Sequence, residues 1–435
     1  MNFFICPASP RASTQVIDVE RSQMRNACGA TLPLMRTERA ETVNTSHATH
    51  ASHATHATHA TQEISGKSHL RLKEGISIYR TPIGLRCGTA RSSFAIPEKG
   101  YVRALEILSG SHGDEIDIAE SCGMTAGEYR ELIWHLEEHE FLETSPSILS
   151  VTTRFQSVAK HKRRDILPDA SFSQLQKRVA PELSHTRLLP GVSDSGASII
   201  NARQNVRVEI YGSDRIATLL YGILLSSGVT YTHFALGTRS RDPLIIDTDL
   251  SAGFIRSTDV GQSYRQRMED LGKELSLFPI ERLENAQELD GEPPERYIKV
   301  HIGAMDTQLL SQWMSAGQEH IVISPPDGGK CVIGPLVQPG KTPCTRCRNI
   351  SIEEVVGSPS VTADKVLIGD RPANQEMPVF VAHYLAGLIA SFILQRIDSS
   401  TSDLTGAYME VDSLALSASS LIPVSRNPAC GCHWL

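Results

Sequence analysis

Two short cysteine pairs are the residues of this chain best suited to chemistry. They are Cys344 and Cys347, and Cys430 and Cys432. Each pair can direct two thiolates at one metal ion, so the long stretch between the pairs has to fold until they meet. Four thiolates would fill a tetrahedral site and leave no open position, which predicts a structural Zn²⁺ rather than a catalytic one. Two disulfides or four free thiols are the alternatives.

Composition narrows the classes of protein to consider. A chain of 435 residues is long enough for several domains, and its net charge of -7 argues against nucleic acid as the usual partner. The first residues lack the features of a secretory signal, and the most apolar stretch, 379–394, is too short to span a bilayer and contains His383. We therefore predict a cytoplasmic protein without a membrane segment, where clustered cysteines bind metal more often than they form disulfides.

The chain begins with a segment of low complexity. Residues 1–68 are rich in Ser, Thr, Ala and Arg, and a tract within them carries a histidine at every third position. These histidines are His47, His50, His53, His56 and His59. Such a tract can chelate a divalent ion weakly. A disordered tail that arose by repeat expansion is the simpler interpretation, and it is the one that we predict.

Residues 69–146 are predicted to form a small compact module. Three short extended runs come first, Gly75–Arg80, Gly84–Gly88 and Ser92–Ile96, and Pro or Gly separates them. Helical periodicity takes over after the third run, and Thr125 is the predicted cap of the last of three helices. Three strands followed by three helices indicate a winged-helix-like module.

The charge of the third helix argues against DNA as the ligand of this module. Its exposed positions are mostly glutamates, and such a surface repels phosphates. The same scaffold can accept an extended peptide along its edge strand, with the third helix as the other wall of the groove. The candidate peptide-binding residues are Ser93, Phe94, Ala95 and Ile96 on the third run, and Tyr129, Arg130, Ile133 and Trp134 on the third helix.

The rest of the chain is predicted to be a connector followed by an α/β domain. Residues 147–200 contain a basic run, 160–164, which is either a solvated part of the connector or a docking patch. Strands and helices alternate over residues 201–435, beginning with a strand at Val206–Tyr211 and a helix at Asp214–Ser227. This alternation predicts a doubly wound α/β sheet.

The turn after the first strand of this domain lies where a nucleotide-binding protein has its glycine-rich phosphate loop. Gly212 matches the first glycine, but Asp214 takes the second position, where its carboxylate adds bulk and repels phosphate. Ala217 takes the third position. Gly237 and Thr238 stand where an acidic residue would bind the ribose. We therefore predict a retained fold whose ATP site is degenerate.

The segment from Gly334 to Cys347 resembles the ThiF-like, ubiquitin-activating-enzyme-like superfamily. Within it, the segment is most similar to the ocin-ThiF-like branch that serves azoline-forming peptide natural product clusters. The residues Asn427–Cys432 resemble the C-terminal zinc half-site of that branch. The winged-helix-like module resembles the peptide recognition element of the same proteins. The resemblance covers residues 70–435, and its specific part is the pair of cysteine motifs.

This resemblance implies a non-catalytic partner of a YcaO-family, ATP-dependent cyclodehydratase in bacteriocin biosynthesis. Members of the branch bind the leader of a ribosomally synthesised precursor peptide and present its Cys, Ser or Thr residues for thiazoline or oxazoline formation. The partner then consumes the ATP, and structural zinc is the only cofactor expected in this chain. The resemblance assigns no catalytic residue, and association into a homodimer is left open.

An enzyme is the main alternative. A ThiF-like adenylyltransferase activates a carboxylate or amide with ATP, and it needs acidic and basic residues near the triphosphate. The residues that could be recruited for this are Asp247, Asp249, Arg256, Arg265 and Lys273. A third class, a winged-helix transcription regulator with a metal-sensing C-terminal domain, would need a basic third helix.

Overall fold

The computed structural model describes residues 70–97, 100–110, 115–149, 169–212, 214–235, 242–278, 296–356 and 377–432. The chain divides into two compact units, Met1–Ser65 and Gly66–Leu435. All described residues belong to the second unit. The predicted tail with its histidine tract, the basic run 160–164, and Gly237 and Thr238 lie outside the described residues.

The first part of the described chain consists of short strands followed by three helices. The strands are β1 (Arg71–Leu72), β2 (Ser77–Thr81), β3 (Gly84–Gly88), β4 (Ser93–Ile96) and, after the helices, β5 (Leu142–Glu143). The helices are α1 (Tyr101–Gly110), α2 (Glu115–Ser121) and α3 (Ala126–Glu138). Strands β2, β3 and β4 form an antiparallel sheet in that order, and β1 pairs with β5. The three predicted runs thus form one sheet.

A single hydrophobic core holds this part together. Cys87 and Phe94 from the sheet pack with Leu105 of α1 and with Leu132 and Leu136 of α3. All five side chains are buried because the sheet alternates its residues with a period of two and the helices with a period of 3.6. Helix α3 therefore lies against the sheet that contains β4.

The segment predicted as a connector contains two helices, which corrects that prediction for the residues described. They are α4 (Asp169–Thr186) and α5 (Ala197–Arg203). Leu175 and Val179 of α4 pack against Ile200 of α5 and Phe278. This apolar spacing was obscured by the polar residues around it. The burial of these apolar side chains stabilises the two helices, so the described part of this segment is folded.

The α/β domain is built on a seven-stranded sheet. Its strands are β6 (Val206–Tyr211), β7 (Tyr231–Ala235), β8 (Arg296–Ile302), β9 (Glu319–Ile323), β10 (Lys330–Val337), β11 (Ala407–Asp412) and β12 (Ser420–Pro423). Its helices are α6 (Arg215–Ser226), α7 (Tyr264–Leu275), α8 (Thr307–Ser315), α9 (Thr345–Val356) and α10 (Val379–Ser399). The strand order is β12-β11-β10-β9-β8-β6-β7.

The sheet is mixed, whereas the sequence predicted a doubly wound one. Strands β7, β6, β8 and β9 are parallel to one another, as expected. Strands β10, β11 and β12 continue the sheet in antiparallel pairs. The β9–β10 and β11–β12 pairs join strands that are consecutive in the chain, whereas β10 and β11 are distant in sequence, so local patterns carried little signal for that pair.

Helix α10 is long and apolar enough to cross a membrane by length and composition alone. Its buried residues, among them Leu385, Ile389 and Ile393, join the core of the α/β domain with residues of α6 and the sheet. This is the position of a core helix, and the helix extends to Ser399, beyond the apolar stretch 379–394 that the sequence analysis considered too short to span a bilayer.

Candidate functional site

Strand β4 has an open edge beside helix α3. Among the described strands, β4 pairs with β3 alone. The Thr89 N–H donates to the Ser92 carbonyl at 2.8 Å, and ladder alternation then directs the main-chain groups of Phe94 and Ile96 toward β3. The main-chain groups of Ser93 and Ala95 point the other way. The Ser93 carbonyl accepts from the Arg86 guanidinium at 2.5 Å, which leaves Ala95 as the centre of the open edge.

An aromatic stack joins β4 to α3. The Phe94 ring lies between His135 and His139, with ring centroids 5.1 and 5.3 Å apart. The Ser92 hydroxyl lies 2.7 Å from Nδ1 of His139. The two histidines are four residues apart, so they share the face of α3 that is turned to β4. These contacts hold strand β4 against helix α3.

Trp134 extends this aromatic surface outward. Its side chain is exposed, with 55% of its surface accessible, and its ring contacts the ring of His135 at 4.8 Å between centroids. Glu138, on the same side of the helix, has a carboxylate oxygen 3.7 Å from Nδ1 of His135. The exposed surface of α3 at Trp134 therefore combines one large ring with a carboxylate.

The eight candidate peptide-binding residues differ in their positions. Ser93 and Ala95 lie on the open edge, and Trp134 is exposed on α3. Phe94, Ile96 and Tyr129 are buried in the core, and Ile133 packs against it. Arg130 is exposed and its Nε donates to the Ala126 carbonyl at 3.1 Å. The sequence analysis missed His135 and His139, whose spacing of four on the third helix was the available signal.

Helix α3 begins with a capping box formed by Thr125 and Glu128. The Thr125 hydroxyl accepts from the Glu128 N–H at 3.2 Å, and the Glu128 carboxylate accepts from the Thr125 N–H at 2.7 Å. Thr125 was the predicted cap. Because both donors are satisfied, the first turn of the helix is fixed.

A second candidate site is the crevice at the carboxyl ends of β6 and β8. The chain leaves these two neighbouring strands in opposite directions along the sheet, which is where open α/β sheets bind ligands. A Cβ on Gly212, at the end of β6, would lie 3.1 Å from the Ile302 carbonyl oxygen at the end of β8. Glycine is therefore required there for close approach of the strands.

Carboxylates occupy the helix N-termini at this crevice. Asp214 caps α6, and its Oδ1 accepts from the Ala217 N–H at 2.8 Å. Asp306 caps α8, and its Oδ1 accepts from the Leu309 N–H at 3.0 Å. A bound phosphate would use the same N–H groups and the same positive end of the helix dipole. At both helices a side chain of the protein takes that place.

The carboxyl group of Asp214 is poorly solvated. Burial raises its pKa to about 6 from the usual 3.8, and the nearby Asp249 carboxylate acts in the same direction, while N–H donors of the helix oppose the shift. The folded protein thus holds the proton of Asp214 more tightly than the unfolded chain does. Its contribution to stability is present below pH 4 and is lost as the pH rises through 6.

We expect Asp214→Asn to raise the free energy of unfolding by about 1–3 kcal/mol at pH 7, because asparagine caps the helix without a charge to desolvate. At pH 4 the difference from wild type should disappear. Urea unfolding of both proteins at the two pH values measures this. A variant that is less stable at pH 7 would show that the charged cap stabilises the fold.

The residues that could serve an adenylyltransferase lie on the segment between β7 and α7 and on α7 itself. Asp249 is buried, and its carboxylate accepts from the Ile246 N–H at 2.9 Å. Lys273 contacts Asp270 at 3.1 Å. Asp247, Arg256 and Arg265 are exposed. Of these five, Asp249 is the one whose charge acts on Asp214 in the crevice.

The four cysteines meet in one buried cluster, as the sequence predicted. The Sγ atoms lie within 4.8 Å of one another. The Sγ–Sγ distances are 3.4 Å for Cys344–Cys430, 3.4 Å for Cys347–Cys432 and 3.9 Å for Cys344–Cys347. These separations exclude disulfide bonds and match the edges of a tetrahedron with metal–sulfur bonds of about 2.3 Å. The cluster can hold a metal ion, and it joins the start of α9 to the C-terminal segment.

Main-chain N–H donors favour the thiolate form of one of these cysteines, Cys347. Burial by itself raises the pKa of a thiol, and it does so for Cys344 and, to about 11, for Cys432. For Cys347 burial is outweighed by donors, chiefly the Asn427 N–H at 3.4 Å from its Sγ, and the pKa is lowered. N–H donors to sulfur suit thiolate ligands, so the donor set fits a metal.

No protein-family model matches this sequence, and no curated protein sequence does. Solved structures do match. The microcin C7 biosynthetic enzyme MccB in complex with N-formylated MccA has a TM-score of 0.57 and 14% identity, and the match covers 84% of this chain and 99% of that one. Escherichia coli MccB with ATP gives 0.56 and 14% over 84% and 99%.

PaaA gives a TM-score of 0.54 and 12% identity over 82% of this chain and all (100%) of its own. The chain has a ThiF-like fold. At these identities the ThiF-like fold is what the similarity shows. It covers both the strand and helix unit around α3 and the α/β domain, since the matches extend over more than four fifths of the chain.

Proposed function

We propose that this ThiF-like protein binds the leader of a ribosomally synthesised precursor peptide as an added strand on β4. The observation that carries this proposal is the open edge of β4 at Ala95, beside the exposed ring of Trp134 on α3. Edge strands bind extended peptides through main-chain hydrogen bonds, and side-chain pockets next to them select the sequence. Residues 69–146 would then act as a winged-helix-like recognition element.

The bound peptide would be presented to a YcaO-family cyclodehydratase, which forms thiazolines or oxazolines with ATP. Tethering the leader raises the local concentration of the core peptide near the partner's active site. One binding event can therefore serve several ring closures. The sequence resemblance to the ocin-ThiF-like branch supports this assignment of partner, and MccB, a neighbour in fold, occurs in complex with MccA.

The crevice of the α/β domain supports a role without nucleotide chemistry. Asp214 and Asp306 hold the N–H groups that phosphates would use. A triphosphate would have to displace two carboxylates and would meet their repulsion. On this proposal the ATP is bound and consumed by the partner enzyme.

The four-cysteine cluster is proposed to hold a structural Zn²⁺. The ligands would be Cys344, Cys347, Cys430 and Cys432, and the ion would supply a closed tetrahedral crosslink. No coordination position would be left for water or substrate. The role of these residues is then to fix the C-terminal segment against α9.

An adenylyltransferase is the second candidate. One observation favours it: the buried Asp249 lies close enough to Asp214 to raise its pKa, and two such carboxylates can bind Mg²⁺. A related fold, that of MccB, also occurs with ATP. The enzyme would have to release the Asp214 cap before a phosphate could reach the N-terminus of α6.

A fluorescence-anisotropy titration separates the two candidates. The full chain is titrated with the labelled N-terminal half of a short precursor peptide encoded beside its gene, with and without ATP and Mg²⁺. We expect micromolar or tighter binding that does not depend on nucleotide. Binding that requires ATP, together with release of pyrophosphate, would instead establish the adenylyltransferase.

A further inference from the structure

Arg348 is a buried cation beside the cysteine cluster, since its main-chain N–H donates to the Cys344 carbonyl at 3.2 Å. It follows Cys347 on α9 and is almost completely inaccessible, at 1% of its surface. A guanidinium stays protonated in proteins, so a full positive charge lies in the interior here. Among the described residues, no carboxylate lies within ion-pair distance of it. Each of the other buried arginines in the described residues forms such a pair; they are Arg187, Arg203, Arg267 and Arg396.

The hydrogen-bond partners of Arg348 are neutral. Its Nη1 donates to the Gly334 carbonyl at 2.7 Å, and its Nη2 and Nε donate to Asn349 Oδ1 at 2.9 and 3.1 Å. The guanidinium lies 5.9 Å from the centre of the Tyr408 ring. Each of its three nitrogens thus has a neutral acceptor, and these acceptors leave its charge uncompensated. A buried charge without a counter-charge is strongly unfavourable.

The missing negative charge is available in the neighbouring cluster. Four cysteine thiolates around one divalent ion carry a net charge of about minus two, and that charge is also buried. We propose that Arg348 is the counter-ion of the metal–thiolate centre and raises its affinity for Zn²⁺. This inference rests on the proposed metal site. The two buried charges have opposite signs and can compensate each other. The first turn of α9, which begins at Thr345, holds them close together.

Arg346 provides a matched control on the same helix. It lies between Cys344 and Cys347 in sequence, carries the same charge as Arg348 and is exposed to solvent. Water screens its charge from the cluster, so its removal should have little effect on metal binding. A difference between substitutions at 346 and 348 therefore reports the buried charge rather than the net charge of the protein.

The experiment measures Zn²⁺ content and affinity for four proteins, using competition with a chromophoric chelator. They are wild type, Arg348→Gln, Arg348→Lys and Arg346→Gln. We expect about one Zn²⁺ in wild type, a 10- to 100-fold loss of affinity in Arg348→Gln, as is typical for residues that support metal ligands, and no change in Arg346→Gln. Arg348→Lys should recover much of the loss because it keeps the charge.

The stability of the same proteins with and without metal separates a counter-ion from a packing residue. In wild type stripped of metal by the chelator, the guanidinium has no counter-charge, so Arg348→Gln should cost much less stability than it does in the zinc-loaded protein. Equal losses in both states, or unchanged Zn²⁺ affinity in Arg348→Gln, would overturn the inference while the metal site stands. Wild type that binds no Zn²⁺ would remove the site and the inference together.

Discussion

Replacing Ala95 with proline is expected to weaken leader-peptide binding by at least tenfold while the protein stays folded. The N–H of Ala95 points away from β3, so its loss leaves the ladder within the sheet intact. An added strand would lose a main-chain hydrogen bond and meet the proline ring at the centre of the edge. Anisotropy titration with the labelled leader measures the change.

Ala95→Ser is the matched control, because it keeps the N–H and adds a small polar group to an exposed position. It should bind the leader nearly as well as wild type. Trp134→Ala should weaken binding without abolishing it, since it removes apolar surface from the wall and leaves the edge free. If Ala95→Pro binds with wild-type affinity and Trp134→Ala does not bind, the peptide lies on the helix and is not an added strand.

The strands and helices of residues 69–146 could be predicted because their signals are local. The second predicted run coincides with β3, and the third differs from β4 by one residue. Thr125 was recognisable as a cap from its position before Glu128. Which side chains enter the groove was harder to predict, because Tyr129 and Trp134 both suit a groove and only packing shows that the first is buried.

The α/β domain shows the same division between local and distant information. Strand Val206–Tyr211 was predicted with its observed bounds, since alternation and the following cap are short-range features. The antiparallel strands β10 and β11 pair across more than seventy residues, as in the register of Lys330 with Asp412. No period in the sequence reports such a pairing, so the antiparallel β10–β11 pair was not foreseen.

The sequence analysis interpreted Asp214 as a disturbance of the phosphate turn, whereas its role as a helix cap is visible only in the structure. Its effect on phosphate was attributed to bulk and charge. The structure adds that its carboxylate bonds the Ala217 N–H, so the helix start is filled from within. Capping and phosphate binding use the same N–H donors. A single aspartate that caps the helix therefore occupies the donors that a phosphate would need.

The largest effect on stability is expected from the cysteine cluster. Cys344→Ser should abolish Zn²⁺ binding and lower the free energy of unfolding by about 3 kcal/mol or more, because metal binding free energy at such a site is folding free energy. The loss should be seen as a lower Tm and as loss of protection of the segment Asn427–Cys432 in hydrogen exchange. That segment is held to α9 by the cluster and by the Asn427 N–H on Cys347.

Cys122→Ser is the control for loss of a thiol. Cys122 is partly exposed and is distant from the cluster in sequence. Among the hydrogen bonds of the described residues, its Sγ contacts only the neighbouring Ser121 hydroxyl. Its zinc content and Tm should match wild type. A chelator should lower the Tm of wild type and of Cys122→Ser to that of Cys344→Ser and leave Cys344→Ser unchanged. If purified wild type without metal is as stable as its zinc-loaded form, packing alone holds the cluster together. The C-terminal segment then needs no crosslink.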